Sequence, residues 1–191
     1  MKTRNLMLSL VLAGSLGLVA CQQDYGHTVE QGRCVAFDGK TVSFVRDKNV
    51  NPKMGPVFDT AILKFTMPSD PKEIGPEPKI GNLVTFNADK ATVTLYTENG
   101  VQDVNVESVN VQKGVESHNS LVKGKTFPMI DSSKNEVTVY SMKTLFTFKI
   151  PSGCPADEKF WTTGDMVRVF SKDKKTALRF MNVTKTNIFK K

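Results

Sequence analysis

TAILKFTMPS (60–69) and KTLFTFKIPS (143–152) read as two copies of one segment. Ile62, Phe65, Met67, Pro68 and Ser69 fall on Leu145, Phe148, Ile150, Pro151 and Ser152, an offset of 83 residues. At the same offset KIGNLVTF (79–86) lies over TTGDMVRV (162–169), with Gly81 on Gly164 and Val84 on Val167. Upstream, KTVSFV (40–45) matches NEVTVY (135–140), and GRCVAFD (32–38) can be laid over GKTFPMID (124–131). Downstream, TVTLY (92–96) follows the first glycine segment as TALRF (176–180) follows the second. Five segments recur in the same order, so the chain reads as a duplication.

Each segment is short, rich in β-branched and aromatic residues, and roughly alternating, as half-buried strands are. The breaks carry turn chemistry at Asp38-Gly39, Pro68 to Pro78, Asn99-Gly100, Ser132 to Asn135, Pro151 to Pro155 and Lys172 to Lys175. Beyond the N-terminal leader no stretch sustains a 3.6-residue period with caps. Closure removes exposed sheet edges, so a set of five short strands suits a small barrel. The expected fold is all-β: two tandem five-stranded β-barrels of the OB-like or SH3-like kind, at 29–112 and 120–191, with a polar linker at 113–119. A single ten-stranded barrel or sandwich is the alternative. The first copy carries an insertion, RDKNVNPKMGPVFD (46–59), between its second and third strands.

The leader has a positive start at Lys2 and Arg4, an apolar run from Leu6 to Leu18, and then Val19-Ala20-Cys21. The run is too short to span a bilayer comfortably and reads as a signal peptide over 1–20. An ordinary signal peptide followed by a chance cysteine is the competing reading. The tetrapeptide LVAC resembles the bacterial lipobox. That resemblance implies cleavage before Cys21, a diacylglycerol thioether on its sulfur, acylation of the new N-terminus by a fatty acid such as palmitate, and a tether over 21–28. Gln22 stands where an Asp would favour inner-membrane retention, so the resemblance implies the periplasmic face of the outer membrane, with the inner membrane as the alternative.

In an oxidising periplasm the two remaining cysteines, Cys34 and Cys154, are expected to form one disulfide, with two unpaired buried thiols as the alternative. That bridge would staple the first strand of one barrel to a loop of the other.

Charge is divided unequally. From Cys21 to Gly114 there are ten Lys/Arg against twelve Asp/Glu; from Val115 to Lys191 there are fourteen against seven. The second copy is the cationic half, and Lys172, Lys174, Lys175 and Arg179 are its binding candidates for anionic envelope polymer or a protein partner. A solvated basic face is the competing reading. Phe160 and Trp161 are the other candidates, because strict alternation cannot place two adjacent aromatics on one buried face. Nucleic acid is not expected as a partner, since the aromatics sit at inward-compatible strand positions rather than among basic residues.

Catalytic chemistry finds no support in the sequence. His27 lies in the tether and His118 in the linker, and no HExxH, GxSxG, P-loop or SxxK pattern occurs. No catalytic residue, metal ligand or cofactor is assigned. The mature chain resembles the uncharacterised lipoproteins grouped as a domain of unknown function in sulfate-reducing bacteria, a resemblance that implies no activity. The expectation is a non-catalytic, lipid-anchored binding or assembly protein of the periplasm. An enzyme acting on cell-envelope polymer, a hydrolase, is the alternative.

Overall fold

The computed structural model describes residues 28–49 and 54–186, so the leader, Cys21 and the tether through His27 lie outside the described residues. The first copy forms β1 (Thr28–Phe37), β2 (Thr41–Asp47) and β3 (Phe58–Thr66), a 3-10 turn at Pro71–Glu73, then β4 (Leu83–Asn87) and β5 (Thr92–Thr97). Two further strands follow, β6 (Gly100–Asn105) and β7 (Ser108–Lys113). The second copy forms β8 (Met129–Asp131), β9 (Glu136–Ser141) and β10 (Thr144–Lys149), a single helical turn α1 (Glu158–Trp161), then β11 (Met166–Ser171) and β12 (Ala177–Asn182). The repeat therefore holds element by element: three strands, a helical turn, two strands, twice.

Turn residues account for the tight connections. Between β1 and β2 the Asp38 carboxylate accepts from the backbone N–H groups of Lys40 and Thr41, while Gly39 adopts φ +81°. Gly100 opens β6 at φ +92°, a conformation that glycine enters without steric cost. The longer insertion after β2 is tied down from inside. The buried Asp47 carboxylate accepts from the N–H groups of Asn49 and Val57 and from Gln31 Nε2, and Arg168 donates to Gln31 Oε1.

The strands make three antiparallel sheets, in the orders β12-β11-β1-β2-β3, β7-β10-β9-β8 and β4-β5-β6, and none of them closes into a barrel. The all-β expectation stands, but the two tandem barrels do not describe these sheets. β11 pairs with β1 in register Gly32↔Val167, so the first sheet draws strands from both copies.

Packing shows the same exchange. One core joins Val42, Phe44, Phe65 and Met67 of the first copy to Val167, Val169, Ala177 and Phe180 of the second. The other joins Leu83, Val93 and Leu95 of the first copy to Val137, Val139, Phe146, Phe148 and Trp161 of the second. Each three-strand meander is thus covered by the hairpin that belongs to the other copy. Equivalent positions are buried alike, with Phe65 and Phe148 at 1% and 0% exposure. The crossover segments run side by side: Leu83 donates to the Thr162 carbonyl at 3.1 Å, and Asp165 to the Lys79 carbonyl at 2.9 Å.

The expected Cys34–Cys154 bridge is absent, because both thiols are free. Cys34 belongs to the first core, whereas Cys154 packs against the second, so the two cysteines serve different clusters. Burial pushes the Cys34 thiol from its ordinary 9.0 up to about 12, and raises Cys154 as well. Since the thiolate is the nucleophile, alkylation of the folded chain at neutral pH is expected to mark the half-buried Cys154 well before the fully buried Cys34. Intact and peptide mass spectrometry reads this directly, and equal labelling rates would contradict it. The unfolded chain loses the Cys34 proton first, so its contribution to stability is complete below 9.0 and declines as the pH rises toward about 12.

Candidate functional site

Alternation along β1 decides which side chains face the first core. Cys34 points into it, so Arg33 points to the opposite face, toward β4. Its Nε donates to the Val84 carbonyl at 3.3 Å and its Nη1 to the Gly164 carbonyl at 3.1 Å. The guanidinium carbon stands 5.8 Å from the centre of the Phe58 ring. Both hydrogen-bond partners are neutral, and among the described residues no carboxylate forms an ion pair with Arg33.

The two carboxylates close enough to favour its charge are spoken for. Asp47 holds the insertion loop and Gln31. Asp165 accepts from Lys79 N–H and Asn182 Nδ2 and faces Lys185 Nζ at 3.7 Å. Loss of solvent outweighs both and pulls the Arg33 pKa below its ordinary 12.5. A guanidinium nonetheless keeps its proton in a protein.

Arg33 lines a cavity of about 200 Å³ between β1, β4, the end of β7 and the β9–β10 turn. Thr85, Ser141, Thr144 and Thr163 also line it, and their hydroxyls have no hydrogen-bond partner among the described residues. Phe86 and Met142 supply apolar wall. At its margin Lys113 and Asp89 form an exposed ion pair. The sequence reading missed Arg33, which it met only inside the segment GRCVAFD. The available signal was a charge set between Gly32 and Cys34 in a strand otherwise destined for the interior.

The aromatic candidates separate. Trp161 is fully buried in the second core, edge-on to Phe148 at 5.4 Å, and its Nε1 donates to the Pro155 carbonyl at 2.8 Å. It is a packing residue, and no partner can reach it. Phe160 is half-buried and walls a wider groove of about 500 Å³ with Val104, Pro151, Cys154 and Pro155.

The basic candidates share one hairpin. Lys172, Lys174 and Lys175 are exposed at the turn between β11 and β12, around Asp173. The Asp173 carboxylate accepts from the N–H groups of Thr176 and Lys175, which holds its pKa below the usual carboxylate range. Arg179 lies on β12 and is matched by Glu73 at 3.4 Å, both exposed, a pair worth about 0–1 kcal/mol. Among the described residues no group of three or more His, Cys, Asp or Glu could hold a metal ion, and His118 is exposed in the loop after β7.

Comparison with curated proteins and with solved structures gives no match. A family model does match, over residues 24–191, which covers every described strand. The chain belongs to the family described as a domain of unknown function (DUF4881).

Proposed function

We propose that this is a non-catalytic binding protein of the bacterial periplasm, lipid-anchored through Cys21 to the outer membrane. The observation that carries the binding half of this reading is the chemistry gathered around the Arg33 cavity. Arg33 and four hydroxyl-bearing residues line it. Such groups hold a ligand by hydrogen bonds and charge, while proton transfer calls for a group that titrates near the working pH. The exposed lysines of the β11–β12 turn add a surface suited to anionic envelope polymer or an acidic protein face.

The anchoring half rests on the leader and on LVAC. Several acyl chains make attachment durable, since each buried CH₂ adds about 0.8 kcal/mol and one chain alone holds only marginally. Cys21→Ser is expected to abolish incorporation of labelled palmitate and to move the protein out of the membrane fraction or leave it unprocessed. Palmitate label that persists in the variant would overturn the anchor. Charge reversal at Lys172, Lys174 and Lys175 is expected to weaken any salt-sensitive envelope association beyond the lipid itself.

A further inference from the structure

A desolvated charge is costly unless a counter-charge accompanies it, and in folded proteins buried ions are paired or hydrogen-bonded to carry that cost. Arg33 is hydrogen-bonded, but only to neutral groups, and among the described residues no carboxylate forms an ion pair with it. Nε and Nη1 donate to carbonyl oxygens, the Asp165 and Asp47 carboxylates favour its charge without bonding to it, and its Nη2 makes no hydrogen bond among the described residues. No buried side-chain nitrogen or oxygen among the described residues lacks a partner, so Nη2 is not sealed in; it opens to the cavity that Arg33 lines. The open donor and the open space coincide.

We propose that this cavity is a binding site for a carboxylate group, with Arg33 as its counter-ion and the hydroxyls of Thr85, Ser141, Thr144 and Thr163 as its secondary donors. The proposal rests on the reading of the protein as a binding protein and names the chemistry of its ligand. Charge and size favour a small carboxylate among anions. Among the described residues Arg33 is the one lining cation outside an ion pair, and the charges of Asp47, Asp165 and Asp89 lie around it, so a dianion is repelled more strongly than a monoanion. A guanidinium pairs with carboxylate or phosphate oxygens, and with Nε and Nη1 each already donating to a carbonyl, Nη2 is the nitrogen left open. The cavity, at about 200 Å³, is smaller than the roughly 300 Å³ and upward of sites that enclose a drug-sized ligand, so it takes a small acid or the acidic end of a longer molecule. Phe86 and Met142 are placed to meet a short apolar stem behind that carboxylate.

The test uses the whole chain, purified in detergent and titrated with sodium acetate, sodium propionate, inorganic phosphate and sodium chloride at matched ionic strength. Amide NMR shifts at Thr85, Ser141, Thr144 and Thr163 report the site. Acetate and propionate should produce saturable shifts there and chloride none. Arg33→Met, which keeps an unbranched stem beside Phe58, should weaken acetate binding by about ten- to hundredfold. Because Arg33 is half-buried, a second variant guards against loss of the fold. Thr85→Val with Thr144→Val leaves the guanidinium in place and should weaken acetate binding by a smaller factor, with unchanged thermal unfolding. Shifts that follow ionic strength alone, acetate affinity equal in the wild type and both variants, or phosphate bound more tightly than acetate would each overturn the proposal. The readout is independent of anchoring. Acetate failure in a chain that still incorporates palmitate removes the ligand class only, and acetate binding by a wild-type chain that never takes up palmitate removes the anchored reading only.

Discussion

Expressed without its first 119 residues, the second copy is expected to lose its cooperative fold. Fragment 120–191 keeps β8 to β12, but β11 loses the β1 edge with which it pairs from Thr28↔Ser171 to Arg33↔Met166. Val167, Val169, Ala177 and Phe180 lose the meander that covers them, and Phe146, Phe148 and Trp161 lose Leu83, Val93 and Leu95. Re-exposing a Val or Phe costs about 1.5–3 kcal/mol each, against a whole-domain stability of roughly 5–15 kcal/mol. A few such residues suffice to unfold the fragment. The fragment could regain burial by folding its own hairpin onto its own meander. It would then have to fit Phe180 and Ala177 where Leu83, Val93 and Leu95 now pack, and close packing penalises such a mismatch. The expected readout is collapsed amide NMR dispersion and no near-ultraviolet dichroism from Trp161. Mixing with fragment 21–119 should restore both. A sharp, independent melt of fragment 120–191 as a monomer would show that the exchange of hairpins is not what holds this fold.

Gly164→Ala and Gly81→Ala are expected to be the most damaging single methyl additions in the described chain that act through the crossover. A Cβ at Gly164 would lie 1.9 Å from the Cys34 carbonyl oxygen, and one at Gly81 would lie 2.0 Å from the Thr162 carbonyl oxygen. Both obstacles are backbone, so no rotamer change relieves them. The crossover segments must separate, which strains the bonds from Cys34 N–H to the Asp165 carbonyl at 2.9 Å and from Leu83 N–H to the Thr162 carbonyl at 3.1 Å. Each buried hydrogen bond lost costs about 1 kcal/mol, more where a donor is left without a partner. The expected loss is about 3 kcal/mol or more, a fall in Tm of roughly 6–12 °C for a chain of this size. Gly39→Ala provides the contrast. Nothing lies within 4 Å of its Cβ position, and only the φ of +81° opposes the change, at about 1–2 kcal/mol. Urea unfolding followed by Trp161 fluorescence separates the two classes. A Gly164→Ala variant within 1 kcal/mol of wild type, or no worse than Gly39→Ala, would show that the crossover is looser than described.

Much of the local structure is legible in the sequence alone. Alternation in KTVSFV and KTLFTF placed strands where β2 and β10 lie, and Asp38-Gly39 and Asn99-Gly100 marked turns that the backbone makes. The repeat even anticipated which side chains go inside: Val42 and Val137 are both at 0% exposure, as are Val84 and Val167. It did not transfer everywhere, since Ile62 is 38% exposed while Leu145 is 8% exposed. β6 and β7 went unread because GVQDVN and SVNVQK hold no fully buried residue and carry only a weak apolar alternation.

Strand existence, turn position and the inward face are properties of a few consecutive residues, and the order of side chains along the chain determines them through a period of two and the φ preferences of Gly, Asn and Asp. Pairing over long separation has no such local signature. A strand exposes the same row of N–H and C=O groups to any neighbour, so nothing within GRCVAFD distinguishes β11 as its partner from β4. That choice was made by how the cores fill, with Phe180 and Val169 against Phe44 and Phe65 on one side and Leu95 against Phe148 and Trp161 on the other. The cysteines and Arg33 followed from the same decision. A count of two thiols cannot say that they serve different cores, and a lone arginine in a strand acquires its desolvation and its cavity only when β4, the β9–β10 turn and the Gly164 crossover close around it.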